Sequence, residues 1–171
     1  MNKIKQLFIH SFKTKWGTFR TGSTNKYLVL VAMPGDSIES FDDRIAEGFG
    51  DCQIEKGGLV NLQAEKEIKA YLDGRQKEFT VKFDIKAAPF QKKVLKEVAR
   101  IPFGQTRSYG EIAAMVGNPR ASRAVGTANA KNWVPLIIPC HRVVGCNGIG
   151  GYGGGLALKK KLLKHEGITK Y

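Results

Sequence analysis

The sequence changes character at Ala87-Ala88-Pro89, and this change constrains the fold more than any other feature. Before it, strand-like and helix-like segments alternate; after it, short helical segments are separated by proline and glycine. A chain of 171 residues can form two small domains, each with a core of its own. We predict an α/β fold of the α+β type, with a structural N-terminal domain in residues 1–85 and a mostly helical C-terminal domain in residues 86–171.

Positive charge is concentrated in the second predicted domain. Residues 1–85 carry 13 basic and 12 acidic side chains, a net charge of +1, whereas residues 86–171 carry 15 and 3, a net charge of +12. A basic half favours a polyanionic partner, of which nucleic acid is the most common. A solvated lysine surface gives the same composition, so charge alone leaves both interpretations open.

Composition excludes several classes of protein. An apolar fraction of 42% is too high for a disordered chain, and no apolar run reaches the roughly 18–20 residues that a membrane span requires. Residues 1–16 lack the apolar centre of a signal peptide, and residues 159–161 have no matching aromatic face, so we expect no membrane contact. Three cysteines argue against a disulfide scaffold and for a reducing compartment.

In the first half, hydrophobic periodicity predicts four strands and two helices. The strands are residues 7–9, 16–20, 27–32 and 79–85, and the helices are residues 37–49 and 61–72. Cys52 and His10 are isolated, and we interpret both as packing or surface residues rather than as catalytic groups.

Start and stop signals predict three helices early in the second half. Pro89 opens the first, which Pro102 ends. Ser108 and Glu111 have the spacing of a capping box for a helix over 109–116. Asn118-Pro119 predicts the start of a third helix that continues to residue 130. The last two helices resemble a helix-turn-helix.

The third of these helices is composed mainly of small residues, with two arginines near its start. Small side chains allow a helix to approach a DNA groove closely, but they are equally suited to tight packing inside a protein. Polar Ser122, Thr127 and Asn129, together with the surrounding positive charge, favour the groove.

Cys140 lies in an apolar run over 133–144, in which prolines favour a rigid, extended backbone. Its neighbours His141 and Arg142 would lower the pKa of the thiol. Adjacent side chains on a strand point to opposite faces, so His141 would reach the sulfur only through a water molecule or a backbone bend. Glu166 is available to orient a histidine.

Other interpretations of Cys140 remain open at this point. A cysteine in an apolar strand is more often a buried hydrophobic residue than a nucleophile. Cys140, His141, Cys146 and His165 could form a zinc site, although their spacing is poor for one. The glycine-rich segment over 145–155 lacks the preceding nucleotide-fold context that a phosphate-binding loop requires.

Several motifs across residues 89–167, in a fixed order, resemble the methylated-DNA–protein-cysteine methyltransferases, also called O6-alkylguanine-DNA alkyltransferases. The first is Pro139-Cys140-His141-Arg142-Val143, preceded by Val134-Pro135-Leu136-Ile137-Ile138. The others are Pro102-Phe103-Gly104, Ser108-Tyr109, the segment over 121–126, Asn132, Gly151-Tyr152 and the segment over 162–167. The first half is similar to this family only in length and α/β pattern; the resemblance implies an RNase-H-like N-terminal domain.

The resemblance implies that Cys140 accepts an alkyl group from O6 of guanine, and by extension from O4 of thymine, in one irreversible turnover. Glu166, His141 and a water molecule would form the relay that generates the thiolate. Tyr109 would donate a proton toward N3 of the departing guanine and crowd the 3′ phosphate. Asn132 would hold the turn before the active-site segment.

The resemblance also implies a DNA surface and a pocket for the flipped nucleotide. Arg123 would enter the base stack in place of that nucleotide, and the helix would lie in the minor groove. The expected DNA-binding residues are Arg123, Tyr109, Ala121, Ser122, Ala124, Thr127 and Arg120. The expected pocket residues are Val143, Tyr152, Gly153, Cys140 and Trp133, with the carbonyls of Cys140 and Val143 reading the guanine amino group. Gly153 stands where some relatives carry a larger or hydroxyl side chain, which leaves the range of alkyl groups open.

Neither a cofactor nor a metal is implied, and the expected partner is double-stranded DNA containing O6-alkylguanine, bound by a monomer. We expect a cytoplasmic protein, associated with the nucleoid in a prokaryote, or a nuclear one in a eukaryote. Two competing functions are a non-catalytic protein that recognises alkylated DNA and a helix-turn-helix regulator. Cys140 argues against the first, because relatives of that type replace this cysteine.

Overall fold

The computed structural model describes residues 5–36 and 38–171, and it divides the chain into two compact units. The units are Met1–Lys86 and Ala87–Tyr171, one residue from the boundary that the sequence predicts. The first contains the larger sheet and the second is mostly helical. This mixed architecture confirms the predicted fold class; the RNase-H-like description stays an expectation of the resemblance.

A four-stranded sheet organises the described part of the first unit. The strands are β1 (Gln6–Thr14), β2 (Gly17–Ser23), β3 (Leu28–Ala32) and β4 (Gln53–Lys56), in the spatial order β3-β2-β1-β4. β2 pairs antiparallel with β1 and β3, whereas β4 joins β1 in parallel. A parallel partner requires a crossover connection, and the helix α1 (Ile38–Phe49) lies within the segment that joins β3 to β4.

The helix α2 (Leu59–Leu72) covers one face of this sheet and supplies much of the core of the unit. Ile68 and Tyr71 of α2 are fully buried, as is Phe19 of β2. Burial of side chains of this size stabilises the folded state by about 1.5–3 kcal/mol each.

One expectation for the first unit was wrong, and one strand was not predicted. Residues 79–85 do not form a regular strand: they run alongside β3 with a single bridge between Leu28 and Phe83. Val81 and Ile85 are buried, so the predicted alternation of burial is correct although the hydrogen-bond ladder is absent from this segment. Strand β4 was not predicted, because an edge strand with mostly exposed residues has no apolar alternation.

Four helices, one short sheet and a turn of 3₁₀ helix make up the second unit. The helices are α3 (Pro89–Val98), α4 (Tyr109–Met115), α5 (Ser122–Ala130) and α6 (Leu156–His165). The strands β5 (Arg107–Ser108) and β6 (Val143–Val144) pair in parallel, and the 3₁₀ turn is Cys140–Arg142. Because β6 follows the 3₁₀ turn directly, its pairing with β5 places the start of α4 beside Cys140.

The start of α4 is fixed by the capping box that the sequence predicts. The Ser108 hydroxyl accepts from the backbone N–H of Glu111 at 3.1 Å, and the Glu111 carboxylate accepts from the N–H of Ser108 at 2.6 Å. Gly117 follows the helix with a φ of 80°, a conformation that glycine adopts without steric penalty.

The predicted start of α5 was wrong. Asn118-Pro119 does not cap a helix; residues 118–121 form a turn in which the Ala121 N–H donates to the Asn118 carbonyl. The N–H of Asn118 itself donates to the Ala113 carbonyl, which ties this residue to the end of α4. The helix therefore begins three residues later, at Ser122, and Arg120 lies in the turn.

Replacing Ser108 by alanine should lower the free energy of unfolding by about 1 kcal/mol, because the first turn of α4 loses its cap. Urea unfolding would measure this loss. Ser108→Thr keeps a hydroxyl at the cap and should remain close to the original stability. A Ser108→Ala protein as stable as Ser108→Thr would contradict this role.

Candidate active site

Cys140 opens the 3₁₀ turn and is buried, with 7% of its surface exposed. The sequence predicts a uniformly extended segment before Cys140, but the structure shows a bend there. Leu136 has a φ of 75°, and the Ile138 N–H donates back to the Val134 carbonyl at 2.9 Å. A leucine in this left-handed region costs about 1–2 kcal/mol, so the surrounding packing must hold this backbone bend in place.

Asn132 connects this bend to the sulfur. Its side-chain oxygen accepts from the Val134 N–H at 3.0 Å, while its amide nitrogen donates to the Ile138 carbonyl at 2.9 Å. The same nitrogen lies 3.2 Å from the sulfur of Cys140. The resemblance implies the turn-holding contacts, but the contact with the sulfur adds a second effect: the amide donor favours a thiolate.

Burial raises the pKa of the Cys140 thiol above its ordinary value. The Asn132 amide, the charge of Lys159 and the backbone N–H groups of Cys140 and His141 act in the opposite direction. The expectation that the neighbouring His141 and Arg142 lower the thiol pKa by their charge is therefore corrected: the cation that acts on the sulfur is Lys159. The thiol needs a base to become nucleophilic at neutral pH.

A buried ionic cluster lies beside the cysteine, around the carboxylate of Glu166. This carboxylate is 2.8 Å from Nε2 of His141, and it accepts from Nε and Nη2 of Arg142 at 2.9 Å each. It also accepts from the backbone N–H of Gly104 at 3.0 Å. Nη1 of Arg142 donates to the Ile101 carbonyl at 2.5 Å.

The hydrogen bonds hold Glu166 in its charged form. Burial alone would raise the pKa of the carboxyl group, but the contacts from His141 and Arg142 outweigh it and lower the pKa to about 2. Burial lowers the pKa of His141 below its ordinary value, although Glu166 partly opposes this effect. At neutral pH the pair therefore consists of a carboxylate and a neutral imidazole.

These charge states determine which histidine nitrogen can act as a base. An ionised Glu166 can only accept, so Nε2 of His141 carries the proton and Nδ1 carries the lone pair. Nδ1 is buried and makes no hydrogen bond to any residue of the described ranges. It is therefore the nitrogen that can take a proton from Cys140.

Tyr109 lies on the other side of the site, at the first position of α4. Its hydroxyl donates to the Gly151 carbonyl at 3.3 Å, and burial raises the pKa of the phenol above its ordinary value. The phenol thus stays protonated over the physiological range and can donate a hydrogen bond or a proton. The ring also contacts Gly126 of α5, where an added Cβ would lie 3.8 Å from it.

Lys159 of α6 is a buried polar residue of this site that the sequence analysis missed. Its ammonium group is fully buried and donates to three backbone carbonyls, those of Val143, Ile149 and Gly151, at 2.6, 2.6 and 3.0 Å. Its only signal in the sequence is a lysine on the apolar side of a helix whose next turn carries Leu162 and Leu163. It stands in a run of three lysines, and such a run usually indicates a solvent-exposed face of a helix.

Helix α5 turns one side toward solvent and the other toward the protein. Val125 and Ala128 are buried against the neighbouring helices, which accounts for part of the small-residue composition. Of the predicted DNA-binding residues on this element, Arg123, Ala124 and Thr127 are exposed, whereas Ala121 and Ser122 are half-buried. Arg120 is exposed in the preceding turn.

The remaining predicted pocket residues are Trp133, Val143, Tyr152 and Gly153, of which the last two belong to the glycine-rich segment. Trp133 and Tyr152 are half-buried, and the Val143 carbonyl accepts from Lys159. Gly153 is exposed, and a Cβ added there would meet no atom within 4 Å. A side chain at this position would therefore be accommodated without a clash.

Three further observations bear on the alternative interpretations. In residues 5–36 and 38–171, no group of three or more His, Cys, Asp or Glu side chains is arranged to hold a metal ion, and His141 is engaged with Glu166. No helix within the same ranges is long and apolar enough to cross a membrane. Cys52, Cys140 and Cys146 are free thiols.

Residues 89–168 match a family model described as 6-O-methylguanine DNA methyltransferase, DNA binding domain. A methylated-DNA–protein-cysteine methyltransferase of Methanosarcina acetivorans is 50% identical over 106 residues, which are 61% of this chain and 68% of that protein. A protein of the same name from Mycobacterium tuberculosis is 48% identical over 104 residues, 60% of this chain but only 63% of the relative, less than two thirds of its length.

Solved structures extend the similarity to nearly the whole chain. The crystal structure of Mycobacterium tuberculosis OGT in complex with DNA matches with a TM-score of 0.80 at 33% identity, covering 93% of this chain and 92% of that one. An O6-methylguanine-DNA methyltransferase from Pyrococcus kodakaraensis matches with a TM-score of 0.70 at 27% identity, covering 95% and 99%. Together with the sequence matches, these structures establish that the chain belongs to the methylated-DNA–protein-cysteine methyltransferase family.

Proposed function

We propose that this protein repairs DNA by transferring the alkyl group of O6-alkylguanine, and of O4-alkylthymine, to its own Cys140 in a single irreversible turnover. The observation that carries the proposal is the surroundings of the sulfur. A buried cysteine lies beside an amide donor on Asn132 and opens a helical turn whose histidine is held by an ionised Glu166.

The thiolate forms by proton transfer from Cys140 to Nδ1 of His141, directly or through one water molecule. Glu166 stabilises the imidazolium that results, because it accepts the Nε2–H in a buried hydrogen bond. The Asn132 amide and the charge of Lys159 stabilise the negative sulfur. Arg142 keeps Glu166 ionised, so the proton stops on His141 and does not pass to the carboxylate.

In the transfer step the sulfur attacks the alkyl carbon bound to O6. A carbon–sulfur bond forms while the carbon–oxygen bond breaks, and its electron pair leaves with the guanine. Tyr109 donates its phenolic proton toward N3 of the guanine and regains one from the imidazolium through solvent. The proton of the thiol is thereby transferred, overall, to the repaired base. The thioether on Cys140 has no leaving group, so the protein reacts once.

The exposed side of α5 is the surface that we propose for DNA, with the helix in the minor groove. The net charge of +12 on residues 86–171 supplies attraction to phosphates that is independent of sequence. Small exposed residues, including Ala124 and Thr127, allow close approach to the groove floor. Arg123 replaces the flipped nucleotide in the stack, because O6 is inaccessible to a buried sulfur while the base is paired.

The alternative function of a non-catalytic lesion-recognition protein is disfavoured by Cys140 and by relatives near 50% identity that are named methyltransferases. A sequence-specific regulator would require base contacts in the major groove, for which the small exposed side chains of α5 are poorly suited. We propose that the protein acts as a monomer where DNA resides, in the cytoplasm at the nucleoid of a prokaryote or in the nucleus of a eukaryote.

Incubation with duplex DNA containing O6-methylguanine should add one methyl group to the protein, on Cys140. Intact mass and peptide mapping would locate it. Cys146→Ser removes an exposed thiol and should leave the transfer unchanged, whereas Cys140→Ser should abolish it. Continued transfer by the Cys140→Ser protein would refute the proposed function.

Arg123→Ala should slow repair of duplex DNA at least about tenfold, because flipping costs a few kcal/mol that the arginine offsets. Reaction with free O6-methylguanine base should stay within about twofold, since that base is already unstacked. Single-turnover rates on both substrates measure the difference. Arg100→Ala removes an exposed arginine paired with Glu97 and serves as the control. Equal losses on the two substrates would place the role of Arg123 elsewhere.

Glu166→Gln should lower the transfer rate at pH 7 by about 10²-fold, the usual contribution of a general base. The carboxylate raises the pKa of His141 against the effect of burial, so its loss makes the imidazole a weaker base. The rate should then need a higher pH to reach its maximum. Single-turnover pH–rate profiles would reveal this shift, with Glu97→Gln as a control on a half-buried carboxylate that pairs with Arg100. An unchanged profile would remove Glu166 from the relay.

A further inference from the structure

We propose that Lys159 is a positioning residue for alkyl transfer: it fixes the backbone of residues 149–151 beside Tyr109 and keeps a positive charge near the Cys140 sulfur. This inference rests on the proposed function and assigns Lys159 a role in the same site. The experiment below separates failure of one from failure of the other.

The geometry is that of a three-point clamp. The ammonium group has three N–H donors, and three backbone carbonyls accept from it: Val143 in β6, and Ile149 and Gly151 in the glycine-rich segment. Lysine is the residue whose donors match this arrangement, since a guanidinium is planar and larger. The glycine-rich segment has little side-chain packing of its own, so these bonds determine where its backbone lies.

The clamp is connected to Tyr109. The Gly151 carbonyl accepts from both Lys159 and the Tyr109 hydroxyl, at 3.0 and 3.3 Å. Gly150 packs against the tyrosine ring so closely that a Cβ there would lie 2.8 Å from a ring carbon, and its φ is 68°. Displacement of residues 149–151 would therefore move the phenol that is proposed to protonate the guanine.

The clamp also orients the Val143 carbonyl, which is proposed to accept a hydrogen bond from the substrate. The Val143 carbonyl has two lone pairs, one of which accepts from Lys159. The second remains available for the guanine amino group. Fixing the direction of this carbonyl before the base arrives reduces the entropy lost when the base binds.

Lys159 is not required to hold α6 in place. Leu162 and Leu163 of the same helix are fully buried and anchor it by hydrophobic packing. A buried ammonium is costly compared with an apolar side chain of similar size. Its presence between the carbonyls and the sulfur is explained by the site rather than by stability.

The charge of Lys159 is coupled to the cysteine. Burial lowers the pKa of the lysine to about 8, and the nearby Cys140 acts against this shift when it is ionised. Tyr109, the other titratable group in the clamp, has a raised pKa and stays neutral in this range. As the pH rises through 8, Lys159 loses a proton, and with it one donor and its charge. The clamp therefore weakens over the range in which thiolate formation would otherwise become easier.

The test compares Lys159→Met and Lys159→Arg with Lys160→Met, which removes the exposed lysine next in the sequence. Single-turnover methylation of Cys140 is followed with methylated duplex DNA and with free O6-methylguanine base. Lys159→Met should lower the maximal rate constant at least tenfold on both substrates. It should raise the half-saturating concentration of the free base but not of the duplex, whose affinity comes mainly from phosphate contacts. Lys159→Arg should recover part of the rate.

The pH profile supplies a readout that a purely structural role would not change. With the free base, the rate of the unmodified protein should pass through a maximum near pH 8, whereas Lys159→Arg, which does not titrate, should show no decline there. Lys159→Met at rates within twofold of Lys160→Met would overturn the proposal, as would a decline that persists in Lys159→Arg. If Lys159→Met does not fold, the pH profiles of the unmodified protein and of Lys159→Arg test the proposal by themselves. Failure of the unmodified protein and of Lys160→Met to become methylated would instead refute the proposed function.

Discussion

The arrangement of the active site depends on one buried carboxylate. Glu166 joins the end of its own helix, α6, to two segments that are distant in sequence: the 3₁₀ turn through His141 and Arg142, and the loop after α3 through the N–H of Gly104. Removing two charges from water is expensive, and the attraction between them offsets the cost only when every donor and acceptor is matched. The bidentate arginine, the imidazole and the backbone N–H meet that condition. The same contacts that orient the histidine therefore fold the C-terminal unit around it.

The two cations of the site act on different groups. Arg142 contacts the carboxylate directly and keeps it charged, so Glu166 can only accept from the histidine. Lys159 instead contacts backbone carbonyls and acts on the sulfur through space. Burial lowers the lysine pKa to about 8, whereas an arginine remains charged in any environment of this kind. The cation whose charge must not change is thus an arginine, and the cation whose charge responds to the state of the cysteine is a lysine.

Local sequence signals predicted α4 correctly but not the start of α5. The capping box of Ser108 and the stop at Gly117 fix α4 because both depend on contacts within a few residues. Two other features depend on partners elsewhere in the sheet, which no local pattern encodes. They are the formation of strand β4 and the failure of residues 79–85 to form a strand. In the site, the order of the motifs predicted that His141 and Glu166 act together, and their side chains lie 2.8 Å apart; their catalytic role is our proposal. Lys159 was missed because its three acceptors are backbone carbonyls. Every residue has such a carbonyl, so the sequence does not indicate which of them accept.

Burial of Cys140, the proposed acceptor, is consistent with a protein that reacts once. An exposed, low-pKa thiol would be consumed by any electrophile or oxidant in solution. With 7% of its surface exposed and a raised pKa, Cys140 stays largely protonated until a guanine base of the DNA occupies the site. In the proposed mechanism, its activation then comes from groups already in position, namely the Asn132 amide, the neutral histidine and the ammonium of Lys159. Preorganised groups of this kind stabilise charge as it develops without reorganising during the reaction. Selectivity for an alkylated base thus follows from the burial that makes the free thiol unreactive.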